Sequence, residues 1–358
     1  MRILFVIGDL IGGGSERAVV LLANEFVKRN HDVAILCFPN NDKSYPLDNN
    51  VRVIKRKKYN DPIRDLFLRS FIIRRTTKKE KPDVVVSFTT QKNVCTLMAF
   101  VFSKTKTIIC ERNDPNRDPK NLILRLLRKL LYRFSTGFVF QTTDACNYFP
   151  NRIRNRSTVI PNSLNVSLPS PHIGERTRRI VTVARLYPEK NIFLGIEAFE
   201  TICKTHADYV YEIYGDGPCR KELQDHIEKR GLSEKVFLKG FVEDLFGKIK
   251  DAAAFIFPSN YEGISNALME ALALGIPCVS TDHPIGGARL LIKDGVNGFL
   301  VPVGDANAMA NKLEWIIAHP SEASALGENA RSILSQSFNV TTIGTRWEEY
   351  IKKIVEQE

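Results

Sequence analysis

Short, continuously apolar runs alternate with longer segments of helical period over nearly all of the 358 residues, and this alternation constrains the fold most. In the first half the runs are Ile3–Ile7, Val33–Phe38, Val51–Ile54, Val84–Phe88, Thr107–Cys110, Gly137–Phe140 and Thr158–Ile160, with helical stretches at Ser15–Arg29, Ile63–Lys79, Leu122–Phe134 and Thr142–Tyr148. The second half repeats the scheme with Ile180–Val183, Val210–Tyr214, Val236–Leu238, Ala253–Phe257, Cys278–Ser280 and Gly298–Val301. Strands without polar alternation are buried on both faces, which implies parallel sheets covered by the intervening helices. A chain this long exceeds what one core organises, so two successive doubly wound α/β domains are expected. The Pro-, Ser- and Asn-rich stretch Pro161–His172 has no helical period and marks the boundary. The division expected is a domain over 1–161, a linker over 162–177, a domain over 178–338 and a final helical segment over 339–358. That last helix has no strand after it and is expected to pack back on the first domain. Open α/β sheets bind ligands outside the carboxyl ends of their strands, so a cleft faced by both domains is the expected active site.

The net charge of +11 is unevenly spread. Lys and Arg outnumber Asp and Glu by 16 in residues 1–161 and fall 5 short in residues 162–358, so the first half is suited to an anionic partner. The seven cysteines show no Cys-x-x-Cys spacing, which argues for reduced thiols and against a disulfide framework or zinc site. The start of the chain lacks the long apolar stretch of a secretory leader, and no window is apolar enough to span a membrane. A cytoplasmic protein is expected, peripheral at most to the inner face of the cell membrane.

Two segments carry chemistry. Asn260-Tyr-Glu-Gly-Ile-Ser-Asn-Ala-Leu-Met-Glu-Ala-Leu272 follows the apolar run Ala253–Phe257 and leads into a helix. The unpaired amides of Gly263, Ile264, Ser265 and Asn266 suit a phosphate or a sugar hydroxyl. Glu262 and Glu270 are roughly two helical turns apart and can address one cleft. Alone, two such glutamates are as readily surface charges. The second segment, Ala184-Arg-Leu-Tyr-Pro-Glu-Lys-Asn191, places Arg185 and Lys190 around a proline turn at a strand's carboxyl end. Two cations there can clamp a diphosphate; alone, they are equally solvated loop charges.

Together with the turns Tyr214-Gly-Asp-Gly-Pro218 and Gly240-Phe-Val242, these segments stand in the order and spacing of the family-four retaining glycosyltransferases, which the chain resembles over nearly its whole length. The resemblance implies the GT-B fold: two Rossmann-like, doubly wound α/β domains facing a central cleft. It implies that Arg185 and Lys190 neutralise the donor's diphosphate, that Glu262 and the amides of Gly263–Asn266 hold the donor sugar, and that Glu270 binds the ribose. Gly215, Gly240 and Val242 would border the nucleotide. Such enzymes retain anomeric configuration by front-face attack, with the leaving phosphate assisting, and need no metal or other cofactor. The Asp-x-Asp metal motif of the other major glycosyltransferase fold is absent from this sequence.

The glycine loop Gly8–Gly14 does not have the GxGxxG spacing of a dinucleotide site, and the segment Cys37–Asn40 lacks the acid that would hold an NAD ribose. The resemblance gives Gly13 and Gly14 a close approach to donor phosphates and acceptor, and places Glu16 and Arg17 in the same turn. Many relatives carry a histidine near the acceptor hydroxyl. Here the matching segment reads Ile109-Cys-Glu-Arg-Asn-Asp114, with no histidine between His31 and His172. Glu111 or Asn113 is expected to orient the acceptor instead. His31 reads as a turn residue, and the other histidines as structural or exposed.

Ile63–Lys81 and Leu122–Phe134 mix apolar residues with Arg64, Arg69, Arg74, Arg75, Lys78, Lys79 and Lys81, and with Arg125, Arg128, Lys129 and Arg133. An apolar stripe beside a basic face suits an anionic bilayer. Interleaved stacking aromatics and a recognisable nucleic-acid module are missing, so nucleic acid is not an expected partner. The expected reaction moves a hexose or N-acetylhexosamine from a UDP-sugar to a glycan acceptor carried on a polyprenyl diphosphate, forming an α-glycosidic bond. The competing readings are a catalytically silent nucleotide-sugar-binding or scaffold subunit and, less favoured, a UDP-sugar epimerase.

Overall fold

The computed structural model describes residues 1–39, 43–57, 62–164 and 168–356, with the side chains of all but Pro62 and Ile63. Residues 165–167 of the expected linker and 357–358 of the final segment lie outside these, as do Asn40 and Lys58. The chain forms two compact units, 1–163 with 340–358, and 164–339.

The first unit contains β1 (Arg2–Ile7), α1 (Gly14–Lys28), β2 (Asp32–Cys37), β3 (Arg52–Lys55), α2 (Pro62–Glu80), β4 (Val84–Phe88), α3 (Thr90–Phe100), β5 (Thr107–Glu111), α4 (Leu122–Leu131), β6 (Gly137–Phe140), α5 (Thr143–Asn147), α6 (Asn151–Arg154) and β7 (Ser157–Val159). Its parallel sheet has the order β3-β2-β1-β4-β5-β6-β7. The winding direction reverses between β1 and β4. The central strands β4, β5 and β6 are buried at every position, as their unbroken apolar runs require.

The second unit contains β8 (Thr177–Val183), α7 (Ile192–Thr205), β9 (Val210–Tyr214), α8 (Arg220–Lys229), β10 (Val236–Gly240), α9 (Leu245–Ile249), β11 (Ala252–Phe257), α10 (Asn266–Ala273), β12 (Cys278–Thr281), α11 (Gly287–Leu291), β13 (Phe299–Val301), α12 (Ala306–Ala318) and α13 (Pro320–Ser337). The order β10-β9-β8-β11-β12-β13 is again parallel and reverses between β8 and β11. In such sheets the crevice at the reversal, beyond the carboxyl ends of the two strands, is where loops diverge and leave room for a ligand.

The final helix, α14 (Val340–Glu356), belongs to the first unit. Trp347 is fully buried and stacks on Phe88 with ring centroids 5.9 Å apart. The Tyr350 hydroxyl donates to the Arg156 carbonyl at 2.6 Å and accepts from the Phe138 amide at 2.9 Å. At the other end, Arg29, just after α1, donates to Glu348 at 2.9 Å and to the Thr341 carbonyl at 2.8 Å. His31, at the turn before β2, meets Glu348 at 3.3 Å.

Two details depart from the periodicity. The helix expected over Leu122–Phe134 ends at Leu131 and tightens into a single 3-10 turn over Tyr132–Phe134, which turns Tyr132 fully inward. Helix α3 carries few charges to mark an outer face, and eight of its eleven residues are buried, so its period is hard to read. All seven cysteines are free thiols.

Candidate functional site

Loops from both strands at the reversal of the second sheet are tied together. After β8, Leu186 is fully buried and holds the 184–191 segment in place, while Arg185 and Tyr187 stay exposed. The Arg185 guanidinium lies over the Tyr187 ring, 5.2 Å from its centroid. The Leu186 amide donates to the Asp216 carbonyl at 2.9 Å and its carbonyl accepts from Cys219 at 3.0 Å, which draws the turn after β9 onto the loop. Gly215, at φ +128°, lies so close that a β-carbon there would stand 2.0 Å from the Ala184 carbonyl oxygen. Its amide donates to the Gly240 carbonyl at 2.8 Å. Val242 is half-buried against the unit's core.

After β11, the Asn260 amide donates to the Glu189 carbonyl at 2.8 Å, and Asn191 donates through its side chain to that of Asn260 at 3.0 Å. These two bonds bring the cationic loop against the acidic one. Lys190, 7% exposed, forms an ion pair with Glu262. Burial, helped by the Arg185 charge, pushes the Lys190 ammonium down to about 8, against the opposing charge of Glu189. Ser265 then caps α10, its hydroxyl accepting from the Leu268 amide at 3.4 Å. Gly263 and Ile264 are buried, and Asn266 opens the helix. Glu270 is on the same helix and 6% exposed.

The floor of this site comes from a segment that sequence reasoning passed over. The start of α11, after β12, passes so close under the acidic loop that a β-carbon on Gly287 would stand 1.8 Å from the Gly263 carbonyl oxygen. Just before it, His283 is fully buried, edge-on to Phe257, with its Nδ1 donating to the Pro284 carbonyl at 3.2 Å. Burial and the nearby Lys190 charge lower its basicity. Neither His283 Nε2 nor the Ser259 hydroxyl has a hydrogen-bond partner among the described residues. Buried polar atoms left open at a strand-end crevice are where a polar ligand would be accepted. The available signal was position: both residues directly follow the carboxyl ends of sheet strands.

In the first unit, Gly13 precedes α1 and Gly14 begins it, with the Glu16 carboxylate folded over Gly13. Arg17 lies over the Tyr45 ring at 5.5 Å. Glu111, expected to orient the acceptor, faces the interior. It is buried, its carboxyl accepts from Thr90 at 3.2 Å and from the Tyr132 hydroxyl, and burial raises it to about 7. It organises the interior. Asn113 is half-buried and turns its side-chain oxygen to the Asp114 amide at 2.9 Å. The neighbouring Arg112 was missed. One nitrogen donates to Asn162 at 2.6 Å, the guanidinium lies over the Phe88 ring, Nε and Nη1 are buried without a hydrogen-bond partner among the described residues, and burial lowers it to about 10. Lys92, close to Gly8, is lowered to about 8 chiefly by burial.

The basic face also needs correction. Arg69 pairs with Asp65 at 2.8 Å, and Arg128 donates to the carbonyls of Asp118 and Pro115, each at 2.8 Å; both are buried. What α4 does expose is apolar: Leu122, Ile123, Leu126 and Leu130, continued by Phe134, beside exposed Lys129 and Arg133. Phe67 and Phe71 are exposed on α2. Among the described residues no helix is long and apolar enough to cross a membrane, and no group of acidic, His and Cys side chains is arranged to hold a metal ion.

Residues 12–168 match the family model Glycosyltransferase Family 4, and residues 168–333 match Glycosyl transferases group 1. A Campylobacter jejuni relative, the GalNAc-alpha-(1->4)-GalNAc-alpha-(1->3)-diNAcBac-PP-undecaprenol alpha-1,4-N-acetyl-D-galactosaminyltransferase, is 30% identical over 364 residues, covering 99% of each chain. Among solved structures, HepE of Anabaena in complex with UDP and glucose aligns with a TM-score of 0.81 at 20% identity, over 99% of this chain and 100% of that one. Sucrose-phosphate synthase of Thermosynechococcus elongatus aligns at 0.85 and 17% identity, over 99% and 98%.

Proposed function

Because the chain belongs to the family-four and group-one glycosyltransferases, which have the GT-B fold, we propose that it transfers a hexose or N-acetylhexosamine from a UDP-sugar to a glycan on a polyprenyl diphosphate, with retention and an α-bond. The observation that carries the donor reading is the Lys190–Glu262 pair beside Arg185 at the reversal of the second sheet. Two cations, one nearly dehydrated, suit a diphosphate, and a carboxylate at the start of α10 suits sugar hydroxyls. Glu270, further along α10, would take the ribose. The solved complexes of HepE with UDP, at 20% identity, favour uracil as the base.

In this reading the acceptor hydroxyl attacks the anomeric carbon on the face the diphosphate leaves. The bond from that carbon to the phosphate oxygen breaks, its electron pair stays on UDP, and the acceptor proton passes to a phosphate oxygen. Arg185 and Lys190 stabilise the charge that develops, the task for which prepositioned cations are most effective. No step requires a metal or a protein base, which fits the buried, inward-facing Glu111.

The lipid-linked acceptor rests on the first unit. The exposed ridge of α4, flanked by Lys129 and Arg133, suits the interface of an anionic bilayer, where such an acceptor would reside. The named acceptor of the Campylobacter relative, a glycan on undecaprenyl diphosphate, is of this class.

The test is sugar transfer from a panel of UDP- and GDP-sugars to membrane lipid extracts, with products identified by mass. One UDP-sugar should yield a lipid-linked product, and Arg185→Ala should abolish it. Binding without transfer would identify a silent subunit. If no donor turns over and Arg185→Ala leaves donor binding unchanged, the reading fails.

A further inference from the structure

Arg220 opens α8 in the second unit and has a donor to spare. Its Nη2 donates to the Leu238 carbonyl of β10 at 3.0 Å, which ties the guanidinium to the end of that strand. Its Nη1 is buried and has no hydrogen-bond partner among the described residues. A guanidinium donates at every nitrogen and accepts at none, and an N–H left open in the interior is costly. Such a donor calls for an acceptor that arrives from outside the unit.

The open nitrogen is at the turn that follows β10. Gly240 has a φ of +70°, and a β-carbon there would meet Arg220 Nη1 at 3.8 Å and, its chain neighbours aside, nothing else within 4 Å. The Gly240 carbonyl accepts from the Gly215 amide at 2.8 Å, so the turn is also fixed from the β9 side. Phe241, the next residue, leaves its ring 85% exposed. One N–H donor therefore borders the space before Gly240, and a bare aromatic face follows it.

Position along the sheet decides what would arrive there. Under the proposed function, on which this inference rests, the sugar is held after β11 and the diphosphate by Arg185 and Lys190 after β8. A nucleotide sugar is linear, so beyond the diphosphate it continues away from β11, toward β9 and β10 in the strand order. Adjacent strands are about 4.8 Å apart, which puts β10 about 10 Å past β8, comparable to the span of a nucleoside. Val242 packs against the core to which Leu268 and Met269 of α10 belong, so a ribose at Glu270 leaves the base at the Gly240–Val242 turn. In a pyrimidine the substituent at C4 is the one most remote from the ribose, and it would meet the far end of the site.

We propose that Arg220 Nη1 donates to the 4-carbonyl of a uracil base and thereby selects uridine diphosphate sugars over cytidine ones. Uracil presents a carbonyl oxygen at that position, whereas cytosine presents an amino group, itself a donor. Two donors cannot satisfy each other. Phe241 offers a stacking face that does not distinguish the two bases. Affinity at this end comes from both residues, and the choice of base from Arg220.

Titration calorimetry of the full chain with UDP and with CDP reads that choice directly. The wild type should bind UDP on the order of 10- to 100-fold more tightly than CDP, the range for a charge-assisted hydrogen bond. Arg220→Met should lower UDP affinity by that factor, leave CDP affinity nearly unchanged and so abolish the preference. Phe241→Ala and Arg185→Ala should each weaken the two nucleotides alike. Equal affinity of the wild type for UDP and CDP overturns the inference and leaves the diphosphate site standing. So does an Arg220→Met variant that weakens both nucleotides alike, for Arg220 would then only brace the turn through Leu238. A wild type that binds neither nucleotide overturns the donor reading itself, and this inference with it.

Discussion

Lys190 and Glu262 come from opposite sides of the reversal in the second sheet, one following β8 and the other β11, and form an ion pair there. Each holds the other in a place where little water remains, Lys190 being 7% exposed. An incoming diphosphate would offer the ammonium a second anionic partner without demanding that a long side chain be ordered first.

Removing either partner should therefore separate binding from folding. Lys190→Met should lower kcat/KM on the order of 100- to 1000-fold, the range for loss of one prepositioned charge at the reacting centre. It should also cost about 1–3 kcal/mol of stability, because the Glu262 carboxylate is left without its cation. Adding Glu262→Gln to Lys190→Met should restore stability and leave activity low. Steady-state kinetics and denaturant titration on the single and double variants check this; activity that returns with stability would show the pair to be a structural tie.

Gly287 supports a prediction about the loop under that pair. A β-carbon there would stand 1.8 Å from the Gly263 carbonyl oxygen and 3.2 Å from the His283 ring. The obstacle is backbone, so no side-chain rotation relieves it. Gly287→Ala should displace the start of α10, weaken UDP binding at least tenfold and lower stability by roughly 1–3 kcal/mol, the usual range for overpacking. Gly287 has an ordinary φ of −61°, so the substitution there tests the clash alone; Gly295→Ala, with nothing within 4 Å of the added carbon but a φ of 71°, shows what backbone strain alone does. Calorimetric UDP binding by both variants distinguishes the two causes.

Burial of Trp347 against Phe88 makes α14 part of the first unit's core. Trp347→Ala should cost about 3–5 kcal/mol, as for other fully buried large aromatics. Glu348→Ala should cost less, because exposed or half-exposed ion pairs contribute little. Thermal melts of both variants check the order. Equal losses would mean that the Arg29–Glu348 contact carries more of the docking than the ring.

Much of this was legible from residue order alone. Ala253–Phe257 is apolar at every position, which requires a strand buried on both faces, and β11 is one. Parallel strands place successive loops at one edge, so the motifs after β8 and β11 had to be neighbours once the winding reversed between them. The pairing of Lys190 with Glu262 left no local signal, because it depends on how the Asn260 amide and the Glu189 carbonyl tie two distant loops. Arg69 and Arg128 read as outward cations because charge is usually solvated. Their burial depends on Asp65 and on carbonyls at Pro115 and Asp118 that no period reveals. Lys92 and His283 were overlooked for the converse reason: each looks ordinary in sequence and becomes unusual only through the burial its fold imposes.

Glu111 gives a prediction in which sign decides the outcome. Burial raises its carboxyl from 4.5 to about 7, against the opposing effects of Arg128 and the bonds from Tyr132 and Thr90. Between those values the folded chain keeps a proton that the unfolded chain has released. Stability should then fall as pH rises from 4.5 toward 7 and level off above it, the reverse of an ion-paired carboxylate. Retaining one proton over that interval changes stability by about 1.4 kcal/mol for each pH step of one, so the whole decline is on the order of 3 kcal/mol. Glu111→Gln keeps the shape and a carbonyl for Tyr132 but cannot ionise, so its melting temperature should lose this decline between pH 5 and 7. Melting curves of both proteins across that range provide the check. Parallel profiles would mean that Glu111 stays ionised in the fold, and its bonds to Tyr132 and Thr90 would then outweigh its burial.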